Sequence, residues 1–308
     1  MKIVDASYKI IEPELQEMTI FERLETCGRV CYKSEDKITE FSSIPFCKRM
    51  ISNQHMSTME MAMIHLCVYF DGVGSETDRA IELVKQAKYL IISDESMIDG
   101  KLYISGSVRA FIELFNNDWK EDFESIHKVL HESYPEFFQP REFDECGDAD
   151  VEVMHQSYMP YKHHCYAVRF IVNRAVTHEL VRHRPVTYLQ ESQRYCNYGA
   201  GKFNNEVTFI NPKAFFDTET IDYNIWYRSC QASEIAYLRL LDAGNSPQAA
   251  RTVLPNSCKT EIIVYTNTEE WEHIFKLRTS SAAEPSMREV MIPLEIEMRE
   301  KGFLKQKV

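Results

Sequence analysis

The sequence has no apolar run near the roughly 18 residues a membrane-spanning helix needs, and its opening stretch, MKIVDASYKI, has no signal-peptide apolar region. The expectation is therefore a soluble, cytoplasmic chain. Paired CxxC spacing is also missing. Nine cysteines, at positions 27, 31, 47, 67, 146, 165, 196, 230 and 258, form an odd set that argues for reduced thiols over a disulfide framework or zinc site. The nearest metal-like cluster is His163-His164-Cys165, but adjacent strand residues point to opposite faces, so no metal is expected. Positive charge is scarce: 35 Lys and Arg against 47 Asp and Glu leave a formal charge of −12, which repels nucleic acid and anionic membrane on average. Internal repeats, low-complexity tracts and clear linkers are likewise absent. With 308 residues and 44% apolar composition, the chain can bury a large core, and a single α/β (α+β) domain over residues 1–308 is expected.

Against this background, the stretch ELVRHRPVTYLQESQRYCNYG, Glu179 to Gly199, stands out. Four arginines, two histidines and only two carboxylates lie between Arg174 and Arg194, a positive field within a negative whole. Such contrast suits a small anionic ligand held in a pocket.

Around it, HCYAVRFIVNR has the apolar density of a buried strand. AVTHELVRHR reads as a helix that Pro185 terminates, leaving Val186 to Tyr195 extended or looped. Upstream, Ser57 and Glu60 stand in capping-box spacing before a strand from Ile64 to Phe70, and SGSVRAFIELF and WKEDFESIHKVLHESY read as helices. Pro135 to Pro160 is acidic, proline-containing and aperiodic, and is expected to be an inserted surface excursion within an elaborated region at about 71–162. Downstream, EVTFI is a strand, Ile221 to Ala243 a long helix, and SPQAARTVLP a short helix capped by Ser246. The strand CKTEIIVYTN leads to Asn267, which caps a further helix with Glu270 three residues on; Pro285 opens the last one, to about Lys301.

The triplet Arg182-His183-Arg184, seven intervening residues and then Ser192 resemble the signature of the flavin-dependent thymidylate synthases, the ThyX family, and QESQRYCNY resembles its longer members. His55, Ser57 and Glu60 resemble the family's N-terminal His-x-Ser-x-x-Glu. Ala250-Arg251 with Leu254-Pro255 resembles its central arginine motif, and Asn267, His273 and Arg278 its C-terminal one. The resemblance covers most of Cys27 to Phe70 and Tyr166 to Pro293. It implies a mixed, largely antiparallel sheet with helical elaborations. It also implies methylation of dUMP to dTMP with FAD, methylenetetrahydrofolate as one-carbon donor and NADPH as reductant, in a homotetramer whose sites form between subunits.

By that carry-over, Glu179, Arg182, Gln190, Glu191, Ser192, Gln193, Arg194, Arg251 and Arg278 contact dUMP. His55, Ser57, Glu60, Arg182, His183, Arg184, Gln190, Asn267, Glu269 and His273 serve the flavin. Chemically, the planar fork of arginine binds phosphate bidentately and stays charged, which suits Arg194 and Arg251. Arg278 matches the arginine that polarises uracil and is the expected catalytic residue; Cys196, with no partnered base in view, is expected to be structural.

Several positions depart from the pattern. Met61 replaces a frequent histidine, Thr187 and Leu189 replace serine and asparagine, and Glu269 stands where arginine commonly meets FAD. A carboxylate cannot donate to phosphate, so that contact is lost, inverted or supplied by another residue such as Lys276. Two other readings were weighed: a flavin oxidoreductase of the same fold without methyl transfer, and an RNA-binding module using the arginine loop. Net acidity and the absence of an aromatic-basic stacking array count against the RNA reading.

Overall fold

In the computed structural model, which describes residues 1–69, 89–93, 100–117, 123–141 and 150–306, ten strands occur. In chain order they are β1 (Lys2–Val4), β2 (Ser7–Ile10), β3 (Met63–Tyr69), β4 (Leu90–Ser93), β5 (Lys101–Ser107), β6 (Asp150–Met154), β7 (Cys165–Asn173), β8 (Thr187–Gln190), β9 (Thr208–Ile210) and β10 (Lys259–Asn267). The chain divides into two compact units, one formed by Met1–Leu15, Thr26–Lys37 and Tyr166–Val308, the other by Gln16–Glu25 and Ile38–Cys165. Together they give an α+β fold with largely antiparallel pairing.

The first unit holds a four-stranded sheet in the order β2-β7-β10-β8 and a separate parallel pair, β1 with β9. β2 runs antiparallel to β7, and β8 antiparallel to β10. The two central strands are mostly buried, with apolar stretches at 165–168 and 170–172 in β7 and at 262–265 in β10. Helices Thr268–Arg278 and Pro285–Glu300 close the core with Trp271, Phe275, Met291 and Leu294, each fully buried and contributing about 1.5–3 kcal/mol. Trp271 escapes a buried orphan N–H by donating to the Tyr166 carbonyl at 3.1 Å. A smaller cluster, with Cys196, Tyr198, Phe209, Tyr237 and Cys258, packs beneath helix Ile221–Asp242.

The expected helix starts in this unit are in place. Asn173, Thr220, Ser246 and Asn267 each accept a backbone N–H three residues on, satisfying donors that a helix end leaves open. One boundary moves: the helix before Pro185 spans only Arg174–Leu180, and the Arg182-His183-Arg184 triplet lies in the turn beyond it. Pro185 has no N–H to give the Val181 carbonyl, and the Arg184 guanidinium satisfies it instead at 2.6 Å, donating also to the His183 carbonyl at 3.1 Å.

The second unit is built on the antiparallel sheet β4-β5-β3-β6 with helices Val108–Asn117 and Glu124–Ser133. Two expectations are corrected here. Asp150–Met154, inside the segment expected to be a surface excursion, is strand β6 paired along β3, and Phe137 and Phe138 are buried; the alternation in DVEVM was the overlooked signal. Residues 142–149 of that segment lie outside the described residues. The capping box at Ser57 and Glu60 does not form either, because the turn Met56–Glu60 is a 3-10 helix with His55 at its N-cap and no side-chain cap bond. Glu60 instead accepts from Arg109 at 2.7 Å. Buried in this sheet is a polar chain, with Ser105 Oγ 2.7 Å from Nδ1 of both His65 and His163, and His163 Nε2 2.8 Å from Ser93 Oγ. No described helix is long and apolar enough to cross a membrane.

Candidate active site

Arg278, the last residue of helix Thr268–Arg278, meets the turn that follows helix Arg174–Leu180. Its Nε donates to His183 Nε2 at 2.9 Å, one terminal nitrogen to Glu179 Oε2 at 2.5 Å and the other to the Glu179 carbonyl at 3.0 Å. Residues nearly a hundred positions apart thus converge on one guanidinium. Three of its five N–H donors are used in this way.

His183 is buried, and that burial, with the like charges of Arg278 and His273, holds its pKa down at about 4. It is therefore neutral at ordinary pH, as it must be to accept from arginine. The His273 ring lies edge-on to it with centroids 5.8 Å apart. Glu270 Oε1 is 3.7 Å from His183 Nδ1, is buried, and has no hydrogen-bond partner. Burial raises the Glu270 pKa, and His273 partly offsets this. Nothing in the sequence marked Glu270 beyond its capping position.

His183, Glu270 and His273 have metal-ligand chemistry, with atoms lying within 4.8 Å of one another. A neutral imidazole has a single lone pair, however, and Arg278 already occupies the one on His183 Nε2. The hydrogen therefore sits on Nδ1, which has no lone pair to offer.

The loop after β8 presents the other candidates. Gln190 donates to Thr177 Oγ1 (3.0 Å) and Thr260 Oγ1 (3.2 Å), tying β8 to the helix and to β10. Arg194 is exposed; its Nε donates to Gln248 Oε1 at 3.1 Å, and its guanidinium lies 5.5 Å from the Tyr195 ring centroid. Ser192 Oγ accepts the Arg194 backbone N–H at 3.3 Å. Among the described residues no carboxylate pairs with Arg182, Arg194 or Arg251. Glu191 and Gln193 face inward instead. Glu191 is buried, accepts from Lys259 Nζ and the Tyr198 hydroxyl at 2.8 Å each, and so anchors the loop from behind; Gln193 donates to Cys258 Sγ at 3.5 Å. Lys259 also reaches Glu261, whose pKa burial alone would raise but which Lys259, Lys33 and Arg169 hold at about 2. Cys196 is buried, and burial together with Glu191 pushes its thiol up to about 12, far from a nucleophilic thiolate.

Asn267 uses its Oδ1 to cap its own helix, Glu269 is exposed, and His273 lines a cavity of about 490 Å³ with Glu272, Lys276, Thr279, Ser280 and Glu295. His55, Ser57 and Glu60 belong to the second unit, where they form the turn before β3.

Comparison with known proteins places the sequence in a family. The family model described as thymidylate synthase complementing protein matches residues 118–301. A flavin-dependent thymidylate synthase from Geobacter sulfurreducens is 33% identical over 147 residues, covering 48% of this chain and 61% of that protein. Proteins of the same name from Pyrococcus furiosus and Pyrococcus abyssi are 29% and 28% identical, covering 61% and 56% of this chain and 79% and 73% of theirs. Among solved structures, the UMP/dUMP methylase PolB from Streptomyces cacaoi, bound with 5-Br UMP, aligns over 47% of this chain and 72% of its own at 20% identity, with a TM-score of 0.39. Since the family match extends over more than half of the sequence and carries the Glu179, His183 and Arg278 cluster within it, the chain belongs to the thymidylate synthase complementing protein family, the flavin-dependent thymidylate synthases.

Proposed function

We propose that this chain methylates dUMP to dTMP, with FAD as cofactor, methylenetetrahydrofolate as one-carbon donor and NADPH as reductant. The observation that carries the reading is the guanidinium of Arg278, held by Glu179 and neutral His183 with donors to spare. A permanent cation so placed stabilises negative charge developing on a pyrimidine carbonyl oxygen and favours loss of the ring N3 proton.

Arg194 and Arg251, which no carboxylate neutralises among the described residues, hold the nucleotide phosphate. Gln248 orients Arg194, and Ser192 and Gln190 add neutral hydrogen bonds. Glu179 and Arg182 complete the dUMP contacts; Glu191 and Gln193 act from behind the loop. The donor set fits a flavin: Arg182, Arg184, His183, Gln190, the capped helix start at Asn267 and the His273 ring offer cations, N–H groups and an aromatic edge. His55, Ser57 and Glu60, in the second unit, are proposed as flavin contacts on the resemblance alone, and with Glu269 unable to donate, Lys276 is the proposed substitute cation. When bound, the flavin supplies hydride chemistry. The chain's own groups bind the two anions, hold the pyrimidine and keep His183 unprotonated.

We place both units in one catalytic chain that acts in the cytoplasm as a homotetramer. Exposed Ile221 (79%) and Ile225 (63%), one turn apart on helix Ile221–Asp242, are apolar surface that self-association would cover. The visible spectrum of the purified protein tests the reading: flavin bands bleached by NADPH, together with dTMP formed only when dUMP and methylenetetrahydrofolate are supplied. NADPH oxidation indifferent to dUMP would instead identify a flavin oxidoreductase. A salt-sensitive RNA gel shift without flavin would favour the RNA-binding reading.

A further inference from the structure

We propose that Glu270 is a positioning residue for Arg278, acting through the tautomer of His183; the catalytic consequence rests on the functional reading above. Arginine has only donors, so the Arg278 Nε–H at 2.9 Å requires a lone pair on His183 Nε2. The ring hydrogen then lies on Nδ1, and what stands opposite Nδ1 is Glu270 Oε1 at 3.7 Å. That separation is too long for a formed hydrogen bond, but a carboxylate oxygen there favours the Nδ1–H tautomer electrostatically.

Glu270 is not spent elsewhere. Its Oε1 is buried without a partner, whereas its backbone N–H donates to Asn267 Oδ1 at 2.9 Å and fixes the residue in the first turn of the helix that ends at Arg278. A buried polar atom left unpaired is rare enough to need a reason. Orientation of His183 supplies one. The His273 ring, edge-on at 5.8 Å, covers another side of the imidazole.

With Glu270 removed, His183 is free to carry its hydrogen on Nε2. That hydrogen would face the Arg278 Nε–H, donor against donor, and the guanidinium would lose one of the contacts that set its angle.

The test compares wild type with Glu270→Ala and Glu270→Gln, with His183→Gln to assign the resonance. Imidazole nitrogen shifts of isotope-labelled histidine report the tautomer without any turnover. The expected result is a single Nδ1–H tautomer in wild type, a mixture in Glu270→Ala, and partial recovery in Glu270→Gln, whose neutral amide oxygen keeps only part of the negative potential opposite Nδ1. In flavin-loaded single turnovers Glu270→Ala should form dTMP about 10- to 100-fold more slowly, with dUMP and flavin affinities within about twofold of wild type. A wild-type Nε2–H tautomer, an unchanged tautomer in Glu270→Ala, or stoichiometric zinc binding abolished by Glu270→Ala would overturn the proposal. If wild type forms no dTMP, the functional reading falls while the tautomer measurement still decides the link between Glu270 and His183.

Discussion

Acid should loosen this protein through the buried chain His65–Ser105–His163–Ser93, and the size of the effect follows from its geometry. Ser105 has one hydroxyl hydrogen, so it donates to one Nδ1 and accepts from the other, an arrangement that protonating both rings at once would break. Burial, with His163, His164, Arg23 and His155 adding charge of the same sign, lowers the His65 pKa to about 3; burial with Lys162 and His164 lowers His163 to about 4. Unfolded, both protonate near 6.5. The folded form therefore resists protonation that the unfolded chain accepts, and stability present above about pH 6.5 is lost as pH falls toward the folded values. At about 1.4 kcal/mol per pH unit, each ring costs about 2 kcal/mol between pH 7 and pH 5, and the pair about 4. That is a large part of the stability of an ordinary domain. Urea unfolding at pH 7, 6 and 5, followed by circular dichroism, measures it. The comparison is His65→Asn with His163→Asn, which keeps polar side chains in place but cannot titrate; His127, also buried and lowered to about 4, leaves this variant a residual slope. If wild type and the double variant lose equal stability between pH 7 and pH 5, the reasoning is wrong.

Arg194→Ala and Arg251→Ala should each weaken dUMP binding by about 2 kcal/mol, roughly 30-fold, and flavin binding far less; calorimetry with each ligand separates the two. Arg278→Ala should keep flavin but lose dTMP formation, whereas Cys196→Ala, removing a thiol held near 12, should stay active in flavin-loaded single turnovers. Lys259→Met should destabilise the fold by about 3–5 kcal/mol because it strands the buried Glu191 charge, and adding Glu191→Leu should restore most of that in thermal melts.

What could be read from the sequence was what is local. Asn267 and Ser246 announced their helices because a cap needs only a side-chain oxygen and a backbone N–H three residues on. β7 and β10 announced themselves because central strands bury both faces and so carry dense apolar stretches, broken in β7 only by Arg169 and confined in β10 to 262–265. Strand β6 was missed because one edge of a sheet needs only half its residues apolar, and Asp150 and Glu152 made the segment look like a loop. The short strands at the N-terminus were missed too, since three or four residues give no period to count. Among site residues, the arginines were visible as a charge anomaly. The inward turn of Glu191 was not, because its partners Lys259 and Tyr198 are 68 and 7 positions away and only the fold brings them together.

The charge anomaly also bears on the proposed binding role of the loop arginines. With 47 carboxylates on the chain, an acidic partner is open to many of its arginines. Arg109, Arg169 and Arg299 do so, pairing with Glu60 and Glu113, with Glu261, and with Glu272 and Glu295. Arg182, Arg194 and Arg251 have no such partner among the described residues, but neither do the exposed Arg49, Arg228 and Arg239, so a missing carboxylate does not by itself mark a binding arginine. Arg194 shows how the orientation is achieved without neutralisation: its Nε is bound by the neutral amide of Gln248, which directs the fork while leaving its charge intact. Glu191, the nearest acid in sequence that would cancel that charge, is turned inward and matched by Lys259, so the loop keeps its positive potential where solvent and a phosphate can reach it. The proposed phosphate role of Arg194 therefore rests on this combination, an exposed guanidinium directed by a neutral amide with the adjacent acid turned away from it.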